Sequence, residues 1–378
     1  MTASAPAAPR LFSPFTLRGL ALPNRIVVSP MCQYSAVDGR ATDWHLVHLG
    51  QMAASGAGLL LLEATAVEPI GRITPGCLGL WDDDTEAALA RALGAVRAVS
   101  SMPVGIQLGH AGRKGSSGRP WELGGLIPPS AGGWTTVAPS AVPHADGEAA
   151  PQALDDAQIA ALVARFADAT RRAARLGLQA IELHAAHGYL MHQFLSPIAN
   201  RRTDRWGGSL ENRMRFPLAV FDAVRTEWPS DRPLGVRVSA TDWVDGGWDL
   251  EQTLAFAKAL AARGCDWIDA SSGGVSPLQK IPLGPGYQVP FAERLRAEVD
   301  VPAVIAVGLI TEPAQAEAIV ADGRADLVAL ARGLLWNPRW PWHAAAALGA
   351  SVDVPRPYWR AQPREFKDVF GAIRFGQR

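Results

Sequence analysis

The stretch 184–216 reads HAAHGYLMHQFLSPIANRRTDRWGGSLENRMRF, and it follows a short apolar segment at 179–183. The apolar segment predicts a buried strand that feeds directly into the polar residues. His184 and His187 are three residues apart, so a strand that continued through them would place them on opposite faces. Both rings therefore share one pocket only if the strand ends near His184 and the backbone then turns.

The same stretch contains the signals that begin a helix. Ser209 follows two glycines, which break regular structure, and serine is a favoured N-cap residue. Glu211 lies in the first turn, where a negative charge suits the positive end of the helix dipole. The sequence therefore predicts a loop after the histidines and a helix that begins at Leu210.

Composition narrows the class of protein. The 378 residues include 36 basic and 36 acidic ones, so no net charge attracts the chain to nucleic acid or to a membrane surface. The three cysteines are far apart and form no CxxC pair, which favours a reducing compartment and argues against zinc or an iron–sulfur cluster. Residues 1–10 do not resemble a signal peptide, and no apolar run approaches the about 20 residues that span a bilayer. We expect a soluble, cytoplasmic protein.

Strand-like and helix-like segments alternate from residue 25 onward. The predicted strands are 26–29, 58–64, 104–108, 179–183, 234–238, 267–271, 304–307 and 327–330, and the helices include 44–55, 82–99, 155–176, 210–227 and 250–263. Eight strand-then-helix units fit a (β/α)8 TIM barrel better than a doubly wound open sheet, which the same order also permits. Polar residues at strand ends favour the barrel, whose active sites lie at that rim. They are Cys32, Glu63, Gln107, His184, Arg237 and Ser272.

One long segment interrupts the alternation. Residues 110–151 are rich in Gly, Pro and Ser and have no helical period. A structureless loop of that length is uncommon unless it is functional, so we expect a capping insert after the third strand, with a hairpin at 134–142. Residues 352–378 form a C-terminal tail beyond the eighth helix. The whole chain, 1–378, is thus predicted to be a single barrel domain with these two additions.

Two motifs carry a resemblance to a known family. HAAHGYLMHQFLSP at 184–197, followed by NRRTDRWGGSLENRMRF at 200–216, resembles the Old Yellow Enzyme family of FMN-dependent ene-reductases. PMCQY at 30–34 is similar to the bacterial branch that has a cysteine beside the flavin. The resemblance implies a TIM barrel that binds FMN, takes electrons from NADPH or NADH and reduces the C=C bond of an enone. It also implies a homodimer or homotetramer.

His184, His187 and Tyr189 are the candidate catalytic residues. Imidazole N–H groups aimed at a carbonyl oxygen stabilise the charge that develops when hydride adds to the β-carbon, and a protonated tyrosine is able to protonate the α-carbon. The resemblance assigns carbonyl binding to the histidine pair and the proton to Tyr189. The alternative is a pair of packed histidines with a surface tyrosine. A metal site that adds His192 is not expected, because HExxH is missing.

Two arginines are candidate cofactor ligands. Arg332 and Gly308 end the last two strands, where barrels often bind a phosphate. The resemblance identifies this phosphate as that of FMN and adds Ala331 to its site; ordinary turn glycines and a surface arginine are the alternative. Arg237 ends the fifth strand, and the resemblance places it at the flavin pyrimidine edge. The alternative is a barrel ion pair with Glu63 or Glu182.

The resemblance also assigns residues around the flavin ring. Gln107 is similar to the amide that binds the pyrimidine edge, and the ring-lining positions are Ser29, Pro30, Met31, Cys32 and Ala64. Tyr34 matches a residue that contacts substrate. In cysteine-bearing relatives a C-terminal residue enters a neighbouring subunit's site, a role that falls here to Trp359 or Arg360. A strap along the chain's own barrel is the alternative.

Three other functions are compatible with a barrel of this kind. The related dienoyl-CoA reductases carry an iron–sulfur cluster, which requires clustered cysteines that this chain lacks. A Schiff-base aldolase requires a lysine at a strand end. None of the four lysines, Lys114, Lys258, Lys280 and Lys367, closes a predicted strand. A non-catalytic flavin-binding protein would have the same barrel, and only its failure to reduce enones would distinguish it.

Overall fold

The computed structural model describes residues 8–122, 124–371 and 373. Sequence expectations that concern the first seven residues and the last few of the tail lie outside the described residues. The strands are β1 (Phe15–Leu17), β2 (Leu20–Leu22), β3 (Ile26–Val28), β4 (Leu59–Ala66), β5 (Val104–Gly109), β6 (Val137–Ala138), β7 (Gln152–Ala153), β8 (Ala180–Ala185), β9 (Leu234–Ser239), β10 (Trp267–Ser271), β11 (Ala303–Val307) and β12 (Leu327–Leu330).

Eight of these strands form a closed parallel barrel in the order β3-β4-β5-β8-β9-β10-β11-β12, with β12 paired to β3. The helices are α1 (Asp43–Ala53), α2 (Asp83–Arg97), α3 (Asp156–Arg175), α4 (Leu190–Leu195), α5 (Leu210–Glu227), α6 (Leu250–Ala261), α7 (Val289–Glu298), α8 (Pro313–Ala321), α9 (Arg332–Trp336) and α10 (Trp340–Leu348). The predicted (β/α)8 TIM barrel is confirmed, and the doubly wound sheet is not what the chain forms.

A hairpin that the sequence did not reveal covers the amino-terminal end of the barrel. β1 and β2 pair antiparallel, and their buried leucines pack with the barrel interior around Trp267. Arg18, in the hairpin turn, forms an ion pair with Asp266 immediately before β10, with Nε 2.9 Å from Oδ1. Active sites of such barrels lie at the opposite, carboxyl-terminal rim.

The insert contains a different strand pair from the one expected. β6 pairs with β7 in parallel, so the predicted hairpin at 134–142 is wrong. Pro139 follows β6 directly and lacks a backbone N–H, which stops the strand and prevents an immediate antiparallel return. The partner strand comes only after residue 151. Within the described residues, no helix is long and apolar enough to cross a membrane.

Candidate active site

The residues predicted to be catalytic lie where β8 ends at the carboxyl-terminal rim. The strand stops at Ala185, and the next turn contains His187 at φ 57° and Gly188 at φ 74°. These left-handed residues reverse the backbone, so that His187 folds back toward His184. The two rings meet edge to face with centroids 5.1 Å apart. The structure therefore brings the histidine pair together in one pocket.

Lys114 stabilises this turn. The sequence did not indicate that it belongs to the site. Its Nζ donates hydrogen bonds to the carbonyl oxygens of His187 at 2.8 Å and Gly274 at 2.9 Å. The turn packs so closely that a Cβ at Gly188 would lie 2.1 Å from the Gly274 oxygen. Ser239 Oγ accepts the His187 N–H at 2.9 Å. Lys114 of the insert and Ser239 of β9 thus hold this turn in place.

Both histidines are neutral in this setting. Burial, with the positive charge of Arg237, lowers the pKa of His184 and His187 well below the ordinary value. His187 Nδ1 lies 3.4 Å from His184 Nε2, and His187 Nε2 lies 2.6 Å from Ser271 Oγ. Each neutral ring has one N–H to donate and one nitrogen that accepts. The pair is therefore neutral rather than doubly cationic, and one of its two N–H groups lies between the rings.

Tyr189 stands immediately beyond the turn, before the first residue of α4. Its ring meets His184 edge to face at 4.9 Å, and Lys114 Nζ lies 5.1 Å from its centroid. Burial, followed by the nearby Cys32, raises the pKa of Tyr189 well above the ordinary value. The hydroxyl is therefore protonated at neutral pH and is available as a proton donor.

A second cluster lies between the ends of β11 and β12. Arg237, Gly308, Ala331 and Arg332 line one cavity of about 180 Å³. Gly308 has φ +118°, and a Cβ there would lie 2.5 Å from Gln288 Nε2. Only glycine fits that position without strain. The two arginines predicted to be cofactor ligands therefore face a single space.

Arg237 is held by two neighbours inside the barrel. Its Nη1 donates to Ser29 Oγ at 2.9 Å, and its Nε lies 3.3 Å from Asp269 Oδ2. Arg237 thus forms a barrel ion pair, but with Asp269 and not with the expected partners, Glu63 or Glu182. Glu63 is paired instead with His45, with Oε1 3.3 Å from Nε2.

Glu182 binds a different pair of residues. Gln107 Nε2 donates to its Oε1 at 2.8 Å, and Trp267 Nε1 donates to its Oε2 at 3.0 Å. Burial, followed by the negative charge of Asp269, raises the pKa of Glu182 to about 8. The hydrogen bond to Glu182 thus fixes the orientation of the Gln107 side chain on β5.

The remaining predicted residues lie on the loop after β3 and at the end of β4. Pro30, Met31 and Cys32 follow β3 directly, while Ala64 belongs to β4 and is partly buried. Tyr34 has φ 53°, and its ring meets the insert residue Trp121 edge to face at 5.8 Å. Part of the insert therefore lies beside the predicted substrate residue.

Trp359 does not join this site. It lines a separate cavity of about 680 Å³ with Pro23, Ala57 and Pro103, which precede β3, β4 and β5 and so mark the amino-terminal end of the barrel. Its Nε1 donates to Val354 O at 3.0 Å. Within this chain the tail is a strap along its own barrel, and entry of Trp359 or Arg360 into a neighbouring subunit stays a prediction.

Comparison with known proteins identifies the family. Residues 10–350 match the model of the NADH:flavin oxidoreductase / NADH oxidase family. An NADPH dehydrogenase from Geobacillus thermodenitrificans is 46% identical over 352 residues, which cover 93% of this chain and 98% of the relative. An NADPH dehydrogenase from Listeria innocua is 45% identical over 354 residues, which cover 93% and 99%. The chain belongs to the Old Yellow Enzyme family.

A solved structure from the same family supports the assignment. Morphinone reductase in complex with tetrahydroNAD is 31% identical, with a TM-score of 0.74 over 92% of this chain and 93% of that one. This Old Yellow Enzyme is accordingly an FMN-dependent NADPH dehydrogenase.

The residues of this Old Yellow Enzyme fit FMN on structural grounds. Arg332 and the glycine at 308 form a cavity suited to a phosphate. Among the described residues, His184 Nδ1 is buried without a hydrogen-bond partner, whereas the buried Arg237 Nε has only the ion-pair contact with Asp269. Buried polar atoms are normally satisfied, so the unpaired nitrogen of His184, at the end of β8, is consistent with a polar ligand at this rim.

Proposed function

We propose that this Old Yellow Enzyme reduces the activated C=C bond of α,β-unsaturated carbonyl compounds at the expense of NADPH. The observation that supports the proposal is the juxtaposition of His184, His187 and Tyr189, two neutral imidazoles and one protonated phenol at a single rim position. FMN, when bound, supplies the redox chemistry by accepting a hydride from the nicotinamide and delivering one to the alkene.

The histidines bind and polarise the carbonyl oxygen in this proposal. Negative charge builds on that oxygen as hydride adds to the β-carbon, and N–H donors aimed at it stabilise the charge. His187 Nε2 contacts Ser271 Oγ at 2.6 Å, so a bound carbonyl exchanges with that hydroxyl. Neutral donors suit the task, because an imidazolium would also attract unrelated anions to the buried pocket.

Tyr189 delivers the proton to the α-carbon. Its raised pKa keeps the phenol protonated, and the basic carbon formed after hydride addition provides the driving force. Lys114, above the ring, stabilises the phenolate that remains until solvent restores the proton. Arg237 would lie at the pyrimidine edge of FMN, where its charge stabilises a reduced, anionic ring.

The test uses the purified holoenzyme under anaerobic conditions. The flavin spectrum should bleach on addition of NADPH and return on addition of cyclohexenone, with cyclohexanone formed in equal amount to the NADPH consumed. Cyclohexanone itself, which lacks the double bond, should not restore the spectrum. A spectrum that bleaches but does not respond to cyclohexenone would contradict enone reduction, and one that does not bleach would indicate a non-catalytic flavin-binding protein.

A further inference from the structure

The peptide group between His187 and Gly188 is held at both of its ends. Lys114 Nζ donates to its carbonyl oxygen at 2.8 Å. Its N–H, which belongs to Gly188, donates to His192 Nδ1 at 2.9 Å. His192 lies on α4, and its side chain is fully buried. Since His187 precedes this peptide and Tyr189 follows Gly188, the orientation of the peptide sets the positions of both side chains.

The hydrogen bond from Gly188 defines the tautomer of His192. A nitrogen that accepts an N–H carries no proton, so the ring proton is on Nε2. Asp242, in the loop after β9, faces this nitrogen, with Oδ1 2.8 Å from Nε2 and both side chains fully buried. Within the described residues, neither atom has a partner apart from this ion-pair contact. The carboxylate thus favours the tautomer that the turn requires.

Asp242 is held in turn through its second oxygen. Oδ2 accepts the hydroxyl of Ser196 at 2.6 Å and the backbone N–H of Trp248 at 2.7 Å. A backbone N–H only donates, so the group at the Oδ2 position must be an acceptor. An asparagine at this position would therefore direct its NH2 group toward His192 Nε2. The ring proton would then move to Nδ1, where it opposes the N–H of Gly188.

The turn depends on such support because its backbone is strained. His187 has φ 57°, a left-handed conformation that residues with a Cβ rarely adopt. The next residue of α4, Gln193, also contacts the turn, since its Nε2 donates to Gly188 O at 2.7 Å. Two consecutive side chains of α4 therefore hold the backbone that precedes the helix.

We propose that His192 and Asp242 are positioning residues, which hold His187 and Tyr189 in place through the N–H of Gly188. Asp242 keeps the ring proton of His192 on Nε2, and Nδ1 remains free to accept the N–H of the turn. The effect on turnover rests on the proposed function, in which the turn acts on an enone. The tautomer itself does not, so the two are measured separately.

The first measurement determines the tautomer and does not require activity. In holoenzyme labelled with ¹⁵N in its histidine rings, the nitrogen chemical shifts distinguish a protonated nitrogen from an unprotonated one. The His192 signals, identified by their loss in His192→Leu, should show a proton on Nε2 and none on Nδ1. Asp242→Asn should reverse the two. A protonated Nδ1 in the unchanged protein would overturn the proposal, and so would an unaltered tautomer in Asp242→Asn.

The second measurement is the reoxidation of the reduced, FMN-loaded protein by cyclohexenone in stopped flow. Asp242→Asn should slow this step by about 10²-fold, the usual cost of a displacement of about 1 Å, and should leave reoxidation by oxygen unchanged. Asp266→Asn is the matched control. It removes a buried carboxylate at the amino-terminal end of the barrel, where Oδ2 accepts the N–H of Leu234 at 2.8 Å, and should change neither rate.

A further comparison tests whether Asp242 acts through His192. Asparagine carries its side-chain oxygen on Cγ, where histidine carries Nδ1, and it has no tautomers. His192→Asn should therefore retain most of the rate with cyclohexenone, whereas His192→Leu, which removes the acceptor, should be slowed as much as Asp242→Asn. Adding Asp242→Asn to His192→Asn should cause no further loss of rate.

The outcomes separate this proposal from the proposed function. Equal slowing by Asp242→Asn with and without His192→Asn would overturn the positioning role, because the carboxylate would then act without the imidazole. A normal rate in His192→Leu would overturn it as well, whether or not Asp242→Asn folds. An unchanged protein that does not respond to cyclohexenone would instead contradict the proposed function, and the nitrogen chemical shifts would still decide the tautomer.

Discussion

The side-chain amide of Gln107 donates a hydrogen bond to Glu182 at 2.8 Å, and this contact joins β5 to β8 inside the barrel. The second oxygen of Glu182 accepts from the indole of Trp267 at 3.0 Å. Gly235 leaves room for that indole, since a Cβ there would lie 2.0 Å from the Trp267 ring. Residues from four strands therefore cooperate to orient one amide at the rim.

Glu182→Leu should disturb both stability and cofactor binding. The substitution leaves the Gln107 amide and the Trp267 indole buried without acceptors, which costs about 1–3 kcal/mol for each group. We expect a lower free energy of unfolding in urea for the FMN-free protein and a weaker affinity for FMN, measured by quenching of flavin fluorescence. Glu182→Gln keeps one acceptor, so its free energy of unfolding and its FMN affinity should lie between those of the unchanged protein and of Glu182→Leu. Equal FMN affinity in all three proteins would show that Glu182 does not position Gln107.

Tyr189→Phe should separate the two half-reactions. Reduction of the bound flavin by NADPH requires no proton from this residue, so its rate in stopped-flow measurements should be unchanged. Reoxidation by cyclohexenone should slow by about 10²–10⁴-fold, the usual contribution of a general acid. Reoxidation by oxygen places no proton on carbon and is the control. Unimpaired reoxidation by the enone would remove Tyr189 from the acid role.

Local signals explain why much of the fold was predictable. α5 runs from Leu210 to Glu227 as expected, because the Ser209 side chain accepts the N–H of Asn212 and thereby caps the helix. β10 and β12 also have the predicted bounds, because short apolar runs between turn signals mark buried strands. The order of such segments was enough to predict the barrel.

Contacts between distant residues were not predictable in the same way. Asp269 lies 32 positions from Arg237 and meets it only because β9 and β10 pair in register. α4 was expected to be loop, since all six of its residues are buried and no polar face reveals a helical period. Lys114 reaches the His187 turn from the insert, whose sequence has no repeat that indicates a fold.

The histidines outside the reaction centre should make stability depend on pH. Burial lowers the pKa of His48 and His144 from 6.5 to about 4. Below pH 6.5 the unfolded chain binds protons that the folded one does not, so their contribution is fully present above pH 6.5 and is lost as the pH falls toward 4. His48→Gln and His144→Gln should each make this dependence shallower, by up to one proton, in urea unfolding between pH 4 and 6.5. The exposed His343→Gln is the control, and an equal slope in all variants would contradict the assignment.

Arg332→Ala should weaken the binding of FMN but not of riboflavin. A charge-assisted hydrogen bond to phosphate contributes about 1.5–3 kcal/mol, so the Kd for FMN should rise roughly 10- to 150-fold. Riboflavin has the same ring and no phosphate, and its Kd should change little because the ring contacts remain. Arg324→Ala, which removes an arginine paired with Glu293 away from the cavity, should change neither constant. If Arg332→Ala weakened FMN and riboflavin equally, the loss would come from distortion of the ring site, and the phosphate would have to lie elsewhere than between β11 and β12.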